Sequence, residues 1–327
     1  MQRPSEVLRA LQVTTVPNPL KGSSAAFLWG PRQTGKSTLI TQQFPRARIY
    51  NLLESDLSAA LAVRPALLRE EVLAQKPETV VIDEVQRIPV LLEEVHWLLE
   101  KTRTRIILCG SSARKLRRES KNLLGGRAVE HYLFPLTTHE VPDLDLNKFL
   151  NHGGLPVHYL VPDPTPLLKS YVNTYIKEEI IDESVTRNIP AFARFLQVVA
   201  LTHGQQLNYT NVARESGVSA NTVRSYFQIL SDTLLGFELE PWRKSRTRRL
   251  VETAKFFLFD IGIANNLHPE AAQIGEGTDL HGRAFEHFIL GEVRAFLSYG
   301  RRDLPLAWIP TVAYRLTLSV PADSAPR

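Results

Sequence analysis

The sequence predicts an α/β fold in which a parallel sheet carries a phosphate-binding loop and is followed by smaller modules. Three observations support this prediction. Residues 25–29 form an apolar run that leads into a glycine-rich loop, residues 80–82 form a second run that ends in two acids, and residues 105–112 hold a third. Short apolar runs separated by helix-length segments are typical of buried parallel strands. Polar residues that follow such strands meet at one edge of the sheet, where ligands bind.

Composition is that of an ordinary globular protein. The 327 residues allow about two to three domains, and 43% of them are apolar and 22% charged. The single cysteine, Cys109, excludes an internal disulfide framework. We find neither a signal-peptide core nor an apolar run of the roughly 20 residues that cross a membrane. We therefore expect a cytoplasmic protein without a membrane partner. The net charge of +5 permits a nucleic-acid partner without requiring one.

The glycine-rich loop has the spacing of a P-loop. Gly30 and Gly35 are followed by Lys36 and Ser37, with a strand before the loop and a helix start after it. Backbone N–H groups and the helix N-terminus would bind phosphates, Lys36 would reach the β- and γ-phosphates, and Ser37 would ligate Mg²⁺. The sequence therefore predicts ATP and Mg²⁺ as cofactors. The loop residues that we expect to surround the nucleotide are Gly30, Pro31, Arg32, Gln33, Thr34, Gly35, Lys36, Ser37 and Thr38.

An acidic pair ends the second apolar run. Asp83 follows a β-branched segment, so it is expected at the carboxyl end of a buried strand, where it would hold Mg²⁺. Glu84 would polarise the attacking water. About 47 residues separate this pair from Lys36, which leaves room for one strand and one helix between the two motifs.

Two further polar positions are weaker candidates. Ser111 or Ser112, at the tip of the third run, could sense the γ-phosphate, although a serine after a strand is more often a turn residue. Arg127 follows two glycines and begins another strand-like run. It could reach the site of a neighbouring subunit as an arginine finger, or it could be a surface residue.

Together these motifs resemble a large family of prokaryotic AAA-type ATPases, described as ATP-binding proteins with a C-terminal domain of unknown function. The resemblance extends over about residues 20–300, and the box in which Gln86 follows the acidic pair is specific to the family. The segments that carry it are FLWGPRQTGKSTL, YNLLESD, VVIDEVQRIP, ILCGSSAR, LLGGR and YLFPLT, followed by YVNTYIKEEI, KFFLFDIGIANNL and GRAFEHFILGEVRAFL.

The resemblance implies a P-loop NTPase sheet of AAA type, then a winged-helix segment, then a restriction-nuclease-like α+β module. It also strengthens Ser111 or Ser112 as the sensor. It strengthens Arg127 as a finger too, which would require a homo-oligomer or a head-to-tail contact between copies. The domains that we expect are 1–140 for the ATPase core, 141–190 for a helical lid or hinge, 191–262 for the winged helix and 263–327 for the nuclease-like module.

The segment around residue 220 has helix-turn-helix spacing. Ser219 is a good N-cap for a second helix, whose outward face would carry Asn221, Thr222, Arg224 and Ser225. The following segment, read as a two-stranded wing, is strongly basic and could bind duplex DNA. The alternative is a protein-binding or intramolecular module with a solvated basic face. The candidate DNA contacts are Arg224, Arg243, Lys244, Arg246, Arg248 and Arg249.

The last module looks incomplete. Glu286 occupies the family's first acidic position, but the later strand with an acid pair and a basic residue is not found after Tyr299. We therefore expect a chain that is truncated relative to the family and that has no nuclease activity.

Three functions remain open from the sequence. The first is an Mg²⁺-dependent ATPase that couples nucleotide state to the winged helix and acts on or near DNA. The second is a nucleotide-gated switch that turns over rarely and binds a protein or DNA. The third is a DNA-binding regulator in which ATP is a structural ligand.

Overall fold

The computed structural model describes residues 7–17, 24–112, 124, 127–175, 188–242, 253–268 and 273–309. The chain divides into two compact units, which we describe separately. The amino-terminal unit is Gln2–Phe134 with Asp232–Leu234, and the carboxy-terminal unit contains Pro135–Ser231 and Leu235–Arg327.

The amino-terminal unit is built on a sheet of five parallel strands with a short antiparallel strand beside it. The parallel strands follow the order β6-β2-β5-β4-β3, and β1 pairs antiparallel with β2. The strands are β1 (Val16–Pro17), β2 (Ser24–Trp29), β3 (Arg48–Asn51), β4 (Thr79–Asp83), β5 (Arg105–Gly110) and β6 (Ala128–Tyr132).

Helices connect these strands. The helices are α1 (Lys36–Gln43), α2 (Ser55–Val63), α3 (Ala66–Gln75) and α4 (Leu91–Lys101). Helix α4 has an apolar stripe at helical spacing, and its five buried residues pack into the core against the sheet. A short 3₁₀ turn, Val85–Arg87, follows β4 directly.

The predicted α/β fold with a parallel sheet is confirmed. The apolar runs are buried strands, because nearly every side chain of β2, β4 and β5 is excluded from solvent. Cys109 is also buried, and its burial raises the pKa of the thiol well above its usual range. A buried thiol with a raised pKa is chemically inert.

The carboxy-terminal unit is mostly helical. Its helices are α5 (Leu146–His152), α6 (Pro156–Tyr159), α7 (Thr165–Ser170), α8 (Ile189–Leu201), α9 (Tyr209–Ser216), α10 (Ala220–Asp232), α11 (Ile261–Leu267) and α12 (Asp279–Tyr299). A π-helical turn, Tyr171–Tyr175, continues α7. None of the helices within the described ranges has the length and apolar character needed to cross a membrane.

Helices α8, α9 and α10 share an aromatic core. Phe195 contacts both Tyr226 and Phe227, with ring centroids 5.2 and 5.0 Å apart. Val223 and Leu230 of α10 are buried with these two aromatic residues and form the apolar face of the helix. The predicted cap of α10 is confirmed, because the Ser219 hydroxyl accepts a hydrogen bond from the backbone N–H of Thr222 at 3.1 Å.

Two short strands follow helix α10. Strands β7 (Gly236–Leu239) and β8 (Lys255–Leu258) pair antiparallel. The first strand begins before the basic segment, which corrects our placement of it within that segment. Phe237 explains the position, because its ring stacks on Phe257 of β8 at 5.5 Å. Of the predicted DNA contacts, Arg243, Lys244, Arg246, Arg248 and Arg249 lie outside the described residues.

A buried carboxylate joins two helices of the carboxy-terminal unit. Asp260 caps α11 by accepting the N–H of Ile263, and it also accepts the N–H of Gly154 at 2.8 Å. Burial raises the pKa of Asp260 to about 6, while these backbone N–H groups lower it. The backbone at Gly153 is left-handed, and a Cβ there would lie 2.1 Å from the carboxylate. Asp260 is therefore structural.

His158 is buried without a hydrogen-bond partner among the described residues. Its ring meets Tyr171 edge to face, with centroids 5.8 Å apart. Burial lowers the pKa of His158 to about 4, with a smaller contribution from His152. Between pH 6.5 and about 4 the unfolded chain therefore binds a proton that the folded chain does not.

We expect this group to make the carboxy-terminal unit acid-sensitive. As the pH falls through that window, His158 lowers the free energy of unfolding by up to about 3 kcal/mol. Replacing His158 with Phe should make the unfolding free energy depend less on pH, which urea unfolding at a series of pH values measures. Exposed His139, changed to Gln, is the control. An unchanged pH dependence in His158→Phe would show that the histidine is not the sensitive group.

Candidate functional site

The P-loop has the backbone of an anion-binding turn. It joins β2 to α1, and both Gln33 and Gly35 have a left-handed backbone, with φ of 65° and 92°. Successive left- and right-handed residues turn neighbouring N–H groups toward one concave side. Helix α1 begins at Lys36, so its first N–H groups add to the same concavity.

Lys36 is held inside the loop. Its ammonium donates hydrogen bonds to the carbonyl oxygens of Gly30 at 2.7 Å and Pro31 at 3.1 Å, and the residue is only 6% exposed. A buried ammonium held next to the backbone of such a loop suits an anion with several oxygens, such as a polyphosphate.

The P-loop serine and the first acid of the acidic pair lie next to each other. The Ser37 hydroxyl donates a hydrogen bond to Asp83 Oδ2 at 3.2 Å. Burial and the nearby charge of Glu84 raise the pKa of Asp83, while Lys36 and Ser37 lower it. Two hard oxygen donors in a site where carboxylates lie close together suit a small divalent cation. The residues present therefore fit Mg²⁺.

The second acid of the pair is buried in a hydrogen-bonded cluster. Glu84 Oε2 accepts the Ser111 hydroxyl at 3.1 Å and also the side-chain amide of Gln86. The backbone of Glu84 is left-handed, with φ of 57°. This is unusual for a residue with a side chain, and strain of this kind is concentrated at functional sites. Ser111, one of the two candidate sensors, thus contacts Glu84 directly.

Arg127 lies at the amino ends of the parallel strands, opposite to the carboxyl ends that carry the P-loop. It precedes β6, which runs parallel to β2, whereas the P-loop follows β2. A five-residue strand, about 17 Å long, therefore separates it from the phosphate loop in the strand direction. Its side chain is 45% exposed, forms an ion pair with Glu100 at 2.8 Å and contacts His96 at 3.1 Å.

The structure thus brings together most of the predicted site. Lys36, Ser37, Asp83, Glu84 and Ser111 converge at the carboxyl edge of the sheet, while Arg127 is at the amino edge of the same unit and Arg224 belongs to the other unit. In the carboxy-terminal unit, Glu286 forms an ion pair with Lys255 at 2.6 Å.

The sequence analysis did not identify two residues that contact the site, Arg9 and Gln86. Arg9 donates to the backbone carbonyl of Thr34 in the P-loop and to that of Phe134 at 2.7 Å. It precedes the P-loop by more than twenty residues and belongs to no motif, so no sequence signal pointed to it. Gln86 was noted only as a family marker. Its place in the motif was the signal that could have assigned it a role.

Family models match consecutive parts of the chain. Residues 22–142 match the model described as an AAA domain. Residues 143–274 match the model of a domain of unknown function (DUF8612). This order agrees with the resemblance found in the sequence.

Related proteins are known from bacteria and archaea. An uncharacterized protein of Mycobacterium tuberculosis is 25% identical over 85% of this chain and 64% of its own length. One from Methanocaldococcus jannaschii is 21% identical over 77% of this chain and 63% of its own. The chain therefore spans less than two thirds of the length of these relatives. Among solved structures, the Orc1 protein of Aeropyrum pernix in complex with DNA is 14% identical, with a TM-score of 0.30 over 74% of this chain and 86% of that one.

Proposed function

We propose that this chain binds ATP with Mg²⁺ and hydrolyses it, from the premise that residues 22–142 match an AAA domain and residues 143–274 match a domain of unknown function, the order of the AAA-type ATPase family that the chain resembles. The observation that carries the proposal is the convergence of the P-loop, the Ser37–Asp83 pair and buried Glu84 at one edge of the sheet. No single one of these features would suffice. Together they supply a phosphate cradle, a cation site and a base.

Each residue has a distinct role in this proposal. The loop N–H groups and Lys36 bind the phosphates, and Lys36 exchanges its bonds to Gly30 and Pro31 for phosphate oxygens. Ser37 and Asp83 hold Mg²⁺, which neutralises phosphate charge when bound. Glu84 accepts the proton of the attacking water. Ser111, adjacent to Glu84, helps to position that water.

Arg127 is proposed to act on the site of another copy. Its place at the amino edge of the sheet excludes it from the site of its own chain without a large rearrangement. Its side chain is 45% exposed and its partners Glu100 and His96 are half-buried, which leaves the guanidinium accessible to a neighbouring copy. The ion pair with Glu100 would have to be exchanged, at a small cost because exposed pairs contribute at most about 1 kcal/mol.

We further propose that nucleotide state is coupled to a winged helix that contacts duplex DNA. Helices α8 to α10 with strands β7 and β8 have the element order of that fold, and α10 exposes Asn221, Arg224 and Ser225. The Arg224 guanidinium lies over the ring of Tyr209 and donates to Asn221 at 3.1 Å. A polar, basic helix face of this kind suits phosphate and base contacts.

A nucleotide-gated switch with little turnover is the second candidate. The observation that favours it is that Glu84 accepts hydrogen bonds from two donors. These bonds stabilise the carboxylate, which would make it a weaker base and ATP hydrolysis slow. In that case the nucleotide state itself would be the signal, and a protein or DNA would be bound by the carboxy-terminal unit. The third candidate is a DNA-binding regulator in which ATP is only a structural ligand.

The proposed roles predict different effects for two substitutions. Lys36→Ala should weaken ATP binding roughly 10-fold to 100-fold, because a charge-assisted bond to phosphate is lost. Glu84→Gln should preserve binding but lower kcat roughly 100-fold or more. Calorimetric titration with MgATP and a phosphate-release assay measure the two effects. Turnover that survives Glu84→Gln would contradict the role of Glu84, and tight binding without turnover by the unsubstituted chain would favour the switch.

The trans role of Arg127 predicts complementation between inactive chains. Lys36→Ala provides an intact Arg127 beside a defective loop, and Arg127→Ala provides the reverse. Mixing the two should restore turnover that neither shows alone, measured as phosphate release at increasing protein concentration. Arg69→Ala, which removes another partly exposed arginine that pairs with a glutamate, is the control for Arg127→Ala. Normal turnover by Arg127→Ala would make the residue structural.

The proposed DNA contact predicts a specific salt effect. Arg224→Ala should weaken duplex binding and reduce the slope of log affinity against log salt by about 1, the value for one phosphate contact. Fluorescence anisotropy with a labelled duplex at several salt concentrations measures this slope. Arg214→Ala, which removes an exposed arginine from the preceding helix, is the matched control. Equal effects of both substitutions would point to nonspecific charge.

A further inference from the structure

A buried glutamine, Gln86, contacts the candidate base directly. It lies on the 3₁₀ turn after β4 and is only 6% exposed. Its amide nitrogen donates hydrogen bonds to Glu84 Oε2 and, at 3.0 Å, to the Ser111 hydroxyl oxygen. Both hydrogens of the amide are therefore used on residues of the proposed catalytic site.

The three side chains form a closed ring of hydrogen bonds. The Ser111 hydroxyl receives one bond from Gln86 and donates its own proton to Glu84 Oε2 at 3.1 Å. Both bonds to the carboxylate thus arrive at Oε2. Among the described residues none donates a hydrogen bond to Oε1, so this is the oxygen left for water.

The backbone of Glu84 explains why the ring of hydrogen bonds matters. Glu84 has a left-handed backbone, so the regular strand no longer determines the direction of its side chain. The orientation of the carboxylate therefore depends on its side-chain partners. A charge-assisted bond is strong enough to hold it, since such bonds are roughly twice as strong as neutral ones.

Packing alone does not explain a glutamine at this position. Gln86 Oε1 is buried with no hydrogen-bond partner among the described residues, which is costly for an amide oxygen. That oxygen faces Gly110 at the end of β5, where a Cβ would lie 2.6 Å from it. An apolar side chain of similar length would fill the same space without that cost.

We propose that Gln86 is a positioning residue that, together with Ser111, holds Oε2 of Glu84 and leaves Oε1 directed at the attacking water. This inference rests on the proposed ATP hydrolysis and adds a residue to it. Gln86 contacts neither phosphate nor water in this role, and it acts through Glu84.

Two variants of nearly equal size test the inference. Gln86→Met keeps the length of the side chain and removes both donors, and Gln86→Glu replaces the donor by an oxygen that repels Glu84. Each should lower kcat roughly 10-fold to 100-fold through misplacement of the base, with KM for MgATP unchanged. Gln42→Met, which removes a half-buried amide that bonds Val7, is the control. Thermal unfolding identifies a variant that fails to fold, and the other then carries the test.

A binding measurement separates this inference from the proposed function. Titration with Mg²⁺-ADP, alone and with aluminium fluoride, gives the preference of the site for a transition-state mimic. Gln86→Met should retain ADP affinity and lose that preference by the same factor as kcat. Unchanged kcat and unchanged preference would overturn the inference while leaving ATP hydrolysis intact. An unsubstituted chain that neither hydrolyses ATP nor prefers the mimic would overturn the proposed function, and the inference with it.

Discussion

The candidate site depends on the position of strand β5 between β2 and β4. Neighbouring parallel strands lie about 4.8 Å apart, so the ends of β2 and β4 are separated by roughly twice that distance. The P-loop and α1 extend over this gap and bring Ser37 within 3.2 Å of Asp83. The same arrangement places Ser111, which follows β5, against Glu84, which follows β4. This strand order therefore brings the P-loop, the acidic pair and Ser111 together at the carboxyl ends of the strands.

Burial is the second feature that unites the site. Lys36, Glu84 and Ser111 are all nearly excluded from solvent, and each is held by hydrogen bonds that offset the cost of removing polar groups from water. Arg9 extends this network to the far side of the loop by binding the Thr34 carbonyl. A network of this kind fixes the positions of its members, which is the condition for electrostatic stabilisation of a transition state.

The titratable groups of the two units have different surroundings. In the amino-terminal unit, Asp83 and Glu84 lie where a ligand and a cation would contact them. In the carboxy-terminal unit, Asp260 is satisfied by backbone N–H groups, and His158 has no hydrogen-bond partner among the described residues. These groups are structural and lie within the core, while the polar residues of α10 face solvent.

The sequence by itself determined the parallel-strand fold, the P-loop and the acidic pair, because these depend on local spacing: apolar runs, glycines and the residue that follows each strand. It also determined the capped helix α10. It could not show that Ser111 contacts Glu84, place Arg127 at the opposite end of the strands, find Arg9, or give Gln86 a partner. Only the tertiary structure decided these, since each depends on which strands pair and on contacts between residues up to 125 positions apart, as for Arg9 and Phe134. Local periodicity holds no information about such pairings, whereas strand order and burial fix them.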